Sequence, residues 1–225
     1  MIRDHKGVCI VPGVGSTRWL AKLGAGWWNN SRRVPTDGNS VAGFVPWLHD
    51  EQNAGPVATT SGFLGTLLEP DCTWPVSPET AVARWSSYQD SWPDHKLLAP
   101  CISQVGYEWL LKWMALMEGR YGLVPPVWGL SWNEYGTLEH ALALLGAMQG
   151  LAHRWNLDVL MLKEFRLDNL YDARIFVDAL NVAGVMYAWY PLKRAKNNKY
   201  NSAPLVQGWG PFGRLTQWGQ MYRDA

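Results

Sequence analysis

The chain has 225 residues, of which 48% are hydrophobic and 17% charged, a balance typical of a globular protein that excludes intrinsic disorder. Its net charge of +1 gives no electrostatic reason to expect nucleic acid or an anionic membrane as a partner. The 15 tryptophans exceed what the core needs, and because flat aromatic rings stack on the weakly apolar faces of sugars, the excess hints at a carbohydrate ligand.

Eight short apolar segments predict β-strands. They are nearly continuous in apolar residues, as is typical of strands buried on both faces of a parallel sheet. In chain order they cover residues 6–12, 25–29, 43–49, 62–69, 97–103, 127–134, 158–165 and 184–190.

Helical patterns alternate with these strands. Ser16, Ser77 and Thr137 stand where helix N-caps are expected, and Pro78 follows Ser77 at a first helical position. The predicted helices cover residues 16–23, 77–92, 107–120, 137–154, 168–182 and 212–222. The connections 30–42 and 50–61 are less regular, and each holds either a short helix or only a loop.

Strict alternation of strand and helix predicts parallel strands with right-handed crossovers. Eight such units predict an α/β fold, a single compact (β/α)8 barrel spanning residues 1–225. The alternative is an open doubly wound sheet, but no phosphate-binding glycine motif follows the first strand, and GVGS at 13–16 is too short to count. The segment 192–212 is predicted to be a long loop over one face of the barrel, and its basic run is either solvated or rims a substrate groove.

Neither a cofactor nor a membrane anchor is expected. The histidines and the three cysteines lack metal-ligand spacing, and Cys72 and Cys101 are expected to be free thiols, although a bridge is conceivable. No apolar run approaches the roughly 18 residues of a membrane span. The N-terminal apolar run is broken by Pro12 and Gly13, unlike a signal peptide, so we expect a cytoplasmic protein unless a leader has been removed, in which case it is secreted.

Acidic residues follow several predicted strands, where a barrel carries its catalytic groups. Glu69, Glu134 and Glu164 end the fourth, sixth and seventh strands, and Asp50 and Glu51 follow the third. Carboxyl groups from the fourth and seventh strands would face each other across the barrel mouth.

Such a pair suits glycoside hydrolysis, in which one carboxylic acid protonates the leaving oxygen while the other attacks or activates water. Retaining enzymes hold the two about 5–5.5 Å apart. Apolar neighbours such as Leu67, Leu68 and Trp74 would raise the pKa of the acid. The alternative is that each glutamate merely ends a strand in a salt bridge.

Several segments, in order along the chain, resemble glycoside hydrolase family 128 of clan A. They are KGVC at 6–9, GWWNN at 26–30, FVPWLH at 44–49, LLEPDCTWPVSPETAVARW at 67–85, LMLKEF at 160–165 and MYAWYP at 186–191. The resemblance implies a (β/α)8 barrel and a retaining β-1,3-glucanase, expected to be endo-acting and monomeric, with a polysaccharide or oligosaccharide substrate.

The resemblance also implies roles for individual residues. Glu69 falls on the acid/base position, Glu164 on the nucleophile position and Trp189 on a platform position under the sugar. The other residues expected to bind substrate are Trp28, Asn29, Asn30, Trp47, Trp74, Asn133, Tyr135 and Tyr187.

Two motifs depart from the family pattern. Leu68 stands where the family carries an asparagine that can bond the sugar 2-hydroxyl, a contact that strengthens in the transition state. In SWNEYG at 131–136, Ser131 or Asn133 replaces a family histidine. If Glu134 faced inward it would compete with Glu69 as the acid, but the Pro-Asp sequence after Glu69 favours Glu69.

Three hypotheses follow from these residues. The first is the hydrolase described above, and the second is a catalytically weak or inactive barrel that binds carbohydrate in the same aromatic groove. The third is a structural or partner-binding protein whose exposed tryptophans anchor an interface.

Overall fold

The structure is a computed structural model that describes residues 5–11, 16–35, 39–48, 57–58, 62–193, 204–207 and 213–225. Three features of the sequence fall outside these ranges: the glycine-containing segment 13–15, the acidic pair Asp50 and Glu51, and the basic segment beyond Lys193. Within them no helix is long and apolar enough to cross a membrane.

Seven strands pair in parallel in one sheet of order β2-β1-β7-β6-β5-β4-β3. They are β1 (Lys6–Cys9), β2 (Trp27–Asn29), β3 (Phe63–Gly65), β4 (Lys96–Leu98), β5 (Gly129–Glu134), β6 (Val159–Phe165) and β7 (Met186–Trp189).

The segment 44–47 joins the two edge strands of this sheet. Parallel bridges connect Trp28 to Phe44 and Trp47 to Gly65. The segment therefore lies between β2 and β3, in the place of the eighth strand of a barrel. The predicted (β/α)8 barrel is therefore confirmed, and the open doubly wound sheet is excluded because both edges are joined.

The described residues form six α-helices: α1 (Leu20–Leu23), α2 (Pro78–Ser91), α3 (Tyr107–Tyr121), α4 (Leu138–Arg154), α5 (Leu170–Val182) and α6 (Gln217–Asp224). A 3-10 turn, Thr17–Trp19, precedes α1, and Ser16, Ser77 and Thr137 cap their helices as predicted. The last helix starts later than predicted, since Thr216 caps it and the preceding residues form a hairpin of β8 (Val206–Gln207) and β9 (Arg214–Leu215). The described parts of 30–42 and 50–61 contain no helix.

Two hydrophobic layers hold the barrel together. The inner layer consists of residues from the strands and the segments that extend them, with Trp27, Trp47 and Met161 among them. Trp47 fits there because Gly65 faces it, and a Cβ on that glycine would lie 2.1 Å from the indole ring. The outer layer lies between the strands and the helices and contains most of the other buried apolar side chains.

Candidate active site

A cleft of about 830 Å³ opens at the C-terminal ends of the strands. Six of the predicted site residues line it: Asn30, Glu69, Trp74, Asn133, Tyr135 and Glu164. Trp74 is 43% exposed there and offers an aromatic face to the cleft.

The other five predicted site residues do not line the cleft in this structure. Trp28, Tyr187 and Trp189 are fully buried in the outer layer, because alternate strand residues point to opposite faces and theirs is the helix-facing one. Trp189, for example, packs on Trp218 with ring centres 5.3 Å apart. Trp47 fills the inside of the barrel, as described above.

Asn29, the fifth, lies inside the barrel beneath the cleft. It is fully buried, and its Nδ2 donates to the backbone carbonyl of Lys163 at 3.2 Å. Its contact is therefore with the strand that carries Glu164.

Glu69 stands on a strained turn just beyond β3. Its φ is +45°, a left-handed conformation that is rare outside glycine and that clusters at functional sites. Backbone hydrogen bonds hold the turn in place. The Glu69 amide donates to the Cys101 carbonyl, and the Glu69 carbonyl accepts from the amides of Thr73 and Trp74.

The carboxylate of Glu69 has neutral donors on both oxygens. Asn133 Nδ2 donates to Oε1 at 2.7 Å, and the Thr73 hydroxyl donates to Oε2. Asn133 comes from the end of β5 and Thr73 from the same turn as Glu69, so two elements fix the orientation of this carboxyl.

Asp71 fixes this turn from outside the cleft. Its carboxylate accepts from the Ser103 amide at 2.9 Å and from the Ser103 hydroxyl. A glycine is required opposite, since a Cβ on Gly106 would lie 2.6 Å from the Asp71 carboxyl carbon. The Pro-Asp sequence after Glu69 therefore has a structural role.

A β-bulge turns Glu164 into the cleft. Trp132 of β5 pairs with Leu162, and the next residue, Asn133, pairs with Glu164, so Lys163 is an extra residue in β6. A bulge reorients the side chains that follow it. Both Lys163 and Glu164 consequently point inward, although neighbours on a regular strand would point to opposite faces.

Glu164 is 9% exposed and accepts four hydrogen bonds. Its Oε1 accepts from Lys163 Nζ, from Ser31 Oγ at 2.9 Å and from Cys9 Sγ at 3.5 Å, and its Oε2 accepts from the Tyr135 hydroxyl at 2.6 Å.

The charge state of Glu164 follows from these contacts. Burial alone would raise the pKa of this carboxyl, but the Lys163 ammonium and the hydroxyl donors Tyr135 and Ser31 outweigh burial and hold the pKa below its usual range. Glu164 is therefore ionised at neutral pH.

Glu134 faces away from the cleft. Its carboxylate is fully buried at the start of α4, where it accepts from the Gly136 amide and contacts His140 Nδ1 at 3.0 Å. Burial raises the pKa of this carboxyl. Glu134 thus stabilises a helix start and does not share the site with Glu69.

Several polar side chains of the cleft were missed by the sequence analysis, among them Ser31, Thr73, Arg166 and Tyr190. Tyr190 lies beside Tyr135 with ring centres 6.2 Å apart. Counting alternate residues along β7 from the inward Met186 and Ala188 would have identified it. Ser31 and Thr73 lie in loops, where no such period exists.

The three cysteines are free, as expected. Cys9 and Cys101 are buried beside the site, where burial raises the pKa of both thiols. Cys101 Sγ donates to Asn133 Oδ1 at 3.5 Å. Across the part of the chain that the structure describes, no three His, Cys, Asp or Glu side chains are grouped to hold a metal ion.

No protein-family model matches the chain, and no curated protein matches it by sequence. Solved structures match it over nearly its whole length. A family 128 (subgroup I) endo-β-1,3-glucanase from Amycolatopsis mediterranei, in complex with laminaritriose, shares 20% identity at a TM-score of 0.73, over 98% of this chain and 99% of that one.

Two further family 128 enzymes are similar. A curdlan-specific exo-β-1,3-glucanase (subgroup III) from Blastomyces gilchristii, in complex with glucose, shares 20% identity at a TM-score of 0.73, over 98% of this chain and 97% of that one. An endo-β-1,3-glucanase (subgroup IV) from Lentinula edodes shares 14% identity at a TM-score of 0.66, over 96% of this chain and 98% of that one. At such identities the likeness establishes a common fold.

Proposed function

We propose that the protein is a retaining glycoside hydrolase that cleaves β-1,3-glucan, with Glu69 as acid/base and Glu164 as nucleophile. The observation that supports the proposal is a pair of carboxyl groups in one cleft, one with a charged donor and the other with neutral donors. Glu164 contacts an ammonium, whereas the donors to Glu69 are an amide and a hydroxyl. Two carboxyls in different environments are the basis on which glycosidases divide the acid and nucleophile roles.

The chemistry that follows has two balanced steps. Glu164 attacks the anomeric carbon as the bond from that carbon to the leaving oxygen breaks, and the Glu69 carboxyl gives its proton to that oxygen. Water then loses a proton to Glu69 and displaces Glu164 from the same carbon, so the product keeps the starting configuration.

The cleft offers the surfaces that a glucan chain requires. Trp74 and Tyr190 give aromatic faces, and Asn30 and Tyr135 give polar groups for sugar hydroxyls. The similar enzymes act on β-1,3-glucan, and they include both endo- and exo-acting forms. Endo action is proposed because the cleft, as the described residues form it, is open.

One observation favours a second candidate, a barrel that binds carbohydrate with little or no turnover. Leu68 lines the cleft immediately before Glu69, and its side chain cannot donate to a sugar hydroxyl. Loss of one contact made in the transition state costs on the order of 10²–10³ in rate.

The test is hydrolysis of laminarin by the wild type and by Glu69→Gln and Glu164→Gln, measured as reducing-sugar release. Each variant should lose activity by at least about 10³-fold, while Glu139→Gln, an exposed glutamate on α4, should match the wild type. Proton NMR of the first product should show the β-anomer. Full activity in both variants, or an α-anomer, would exclude the proposal, and laminarihexaose binding without turnover would favour the second candidate.

A further inference from the structure

A lysine lies wholly inside the barrel, directly beside the proposed nucleophile. Lys163 is 0% exposed, whereas lysines in folded proteins are almost always at the surface. Burying an ammonium is strongly unfavourable unless the charge is paired and hydrogen-bonded. A lysine in this position therefore needs a partner, and the partner it has is Glu164.

The contacts of Lys163 form a closed triangle with the nucleophile. Its Nζ donates to Ser31 Oγ at 2.7 Å and to Glu164 Oε1, and Ser31 Oγ donates to the same oxygen at 2.9 Å. On the other side, the ammonium lies 5.5 Å from the centre of the Trp47 ring, close enough for a cation–π contact.

The backbone holds the lysine in this place. Lys163 is the extra residue of the bulge in β6, and Asn29 Nδ2 donates to its carbonyl oxygen at 3.2 Å. The bulge is what allows two successive residues to point inward. The buried asparagine beneath the cleft thus supports the lysine, not the sugar.

The two carboxylate oxygens of Glu164 are left unequal. Oε1 accepts three hydrogen bonds, from Lys163, Ser31 and Cys9, and Oε2 accepts one, from Tyr135. An ionised carboxylate has about four lone-pair positions over its two oxygens. Oε1 is therefore saturated, and Oε2 retains a lone pair that can attack.

We propose that Lys163 is a positioning residue for the reaction proposed above: it anchors Glu164 through Oε1 in the ionised form and leaves Oε2 as the attacking oxygen. The inference rests on the proposed function for its rate consequences. Its structural part, an ammonium that fixes the charge and orientation of Glu164, does not depend on turnover.

The other titratable groups around this pair are Cys9 on β1, Cys101 beyond β4, Tyr135 beyond β5, and Glu69 across the cleft. Burial raises the pKa of both thiols and of the Tyr135 phenol, so these three remain neutral donors. Arg166 also lines the cleft, where its Nε pairs with Asp168 at 3.2 Å.

The first test is Lys163→Met, which removes the charge and keeps an unbranched side chain. We expect kcat/KM on laminarin to fall about 10²-fold, mostly in kcat, as is typical when a reacting group is misplaced by about 1 Å. Without the ammonium the Glu164 carboxyl takes up its proton at higher pH, so the acidic limb of the pH profile should move to higher pH. Lys112→Met, at an exposed lysine of α3 paired with Glu79, is the matched control.

The second test needs no activity. Infrared difference spectra against Glu164→Gln give the titration midpoint of the Glu164 carboxyl, which should be higher in Lys163→Met than in the wild type. A shifted midpoint in a protein that never cleaves laminarin would support the positioning role while rejecting the proposed function. An unshifted midpoint, or kcat/KM within about 2-fold of Lys112→Met, would overturn the role of Lys163.

If circular dichroism shows that Lys163→Met does not fold, the Lys163–Glu164 pair is tested through the titration of the lysine. The carbon-13 NMR signal of the Lys163 Cε reports the ammonium in the wild type and in Glu164→Gln. Removing the carboxylate charge should lower the pH at which Lys163 loses its proton, and an unchanged titration would count against the pairing.

Discussion

At the scale of single residues, the carboxyl of Glu69 takes an amide hydrogen bond from a different strand. Leu68, immediately before Glu69 in the sequence, has no side-chain donor. Asn133, at the end of β5, instead brings its amide to Glu69 Oε1 at 2.7 Å. The carboxyl therefore has an amide donor even though its neighbour in sequence cannot supply one.

Together with the proposed role of Glu69, this contact predicts that Asn133→Ala will impair catalysis without unfolding the protein. An ordinary hydrogen bond is worth about 0.5–1.5 kcal/mol, so its loss should lower kcat/KM on laminarin by about 2- to 10-fold. Steady-state kinetics on reducing-sugar release measures the change. The fall should be in kcat, because the contact orients Glu69 and does not bind the distant sugars.

Asn181→Ala provides the comparison for this experiment. Asn181 lies at the end of α5, outside the barrel, and its amide donates to the Ala225 carbonyl at 3.3 Å. Its removal deletes an amide contact far from the cleft and should leave kcat/KM unchanged. Equal losses in the two variants would mean that Asn133 acts through general stability alone.

At the scale of strands and helices, the apolar runs located every barrel strand, but three of the predicted strands are interrupted. In 62–69, β3 ends at Gly65 and bridging resumes at Leu68. The other two are 43–49 and 97–103. Both contain a proline, Pro46 in 43–49 and Pro100 in 97–103, and proline has no backbone N–H to donate to a ladder. The first segment pairs only through isolated bridges, and the second ends as β4 at Leu98 and resumes bridging at Cys101. The proline positions were visible in the sequence, and they account for the interruption of 43–49 and 97–103.

Helix α2 begins at the N-cap that the sequence predicted, so the contribution of that cap to stability can be measured directly. Ser77 Oγ accepts from the Thr80 amide at 3.2 Å and satisfies one of the free donors at the helix start. Ser77→Ala should lower the free energy of unfolding by about 0.5–2 kcal/mol, measured by urea denaturation. Ser87→Ala, at an exposed position inside the same helix, should be neutral or slightly stabilising. A similar loss of stability in both variants would mean that the cap does not stabilise the helix.

For the whole molecule, the sequence predicted the barrel and the cleft acids but not which aromatic side chains reach the cleft. An apolar run shows where a barrel strand lies in the sequence. The face to which each of its side chains points depends on how the strand pairs with its neighbours. Trp189 ends its strand as expected, yet it faces the helices, and Tyr190 faces the cleft. The bulge at Lys163 could not be foreseen either, because it is defined only by pairing with β5.

A hydrogen bond ties the last helix to the first strand of the barrel, and this gives the last prediction. Tyr222 of α6 is fully buried, and its hydroxyl donates to the carbonyl of Gly7 in β1. Tyr222→Phe keeps the ring packing and removes that bond, so the free energy of unfolding should fall by about 0.5–1.5 kcal/mol. In a chain of this size that corresponds to a Tm lower by about 2–5 °C in a calorimetric scan. Tyr171→Phe, at a tyrosine that is 73% exposed, should leave Tm unchanged. Equal Tm values for the two variants would mean that α6 is held by apolar packing without help from this hydroxyl.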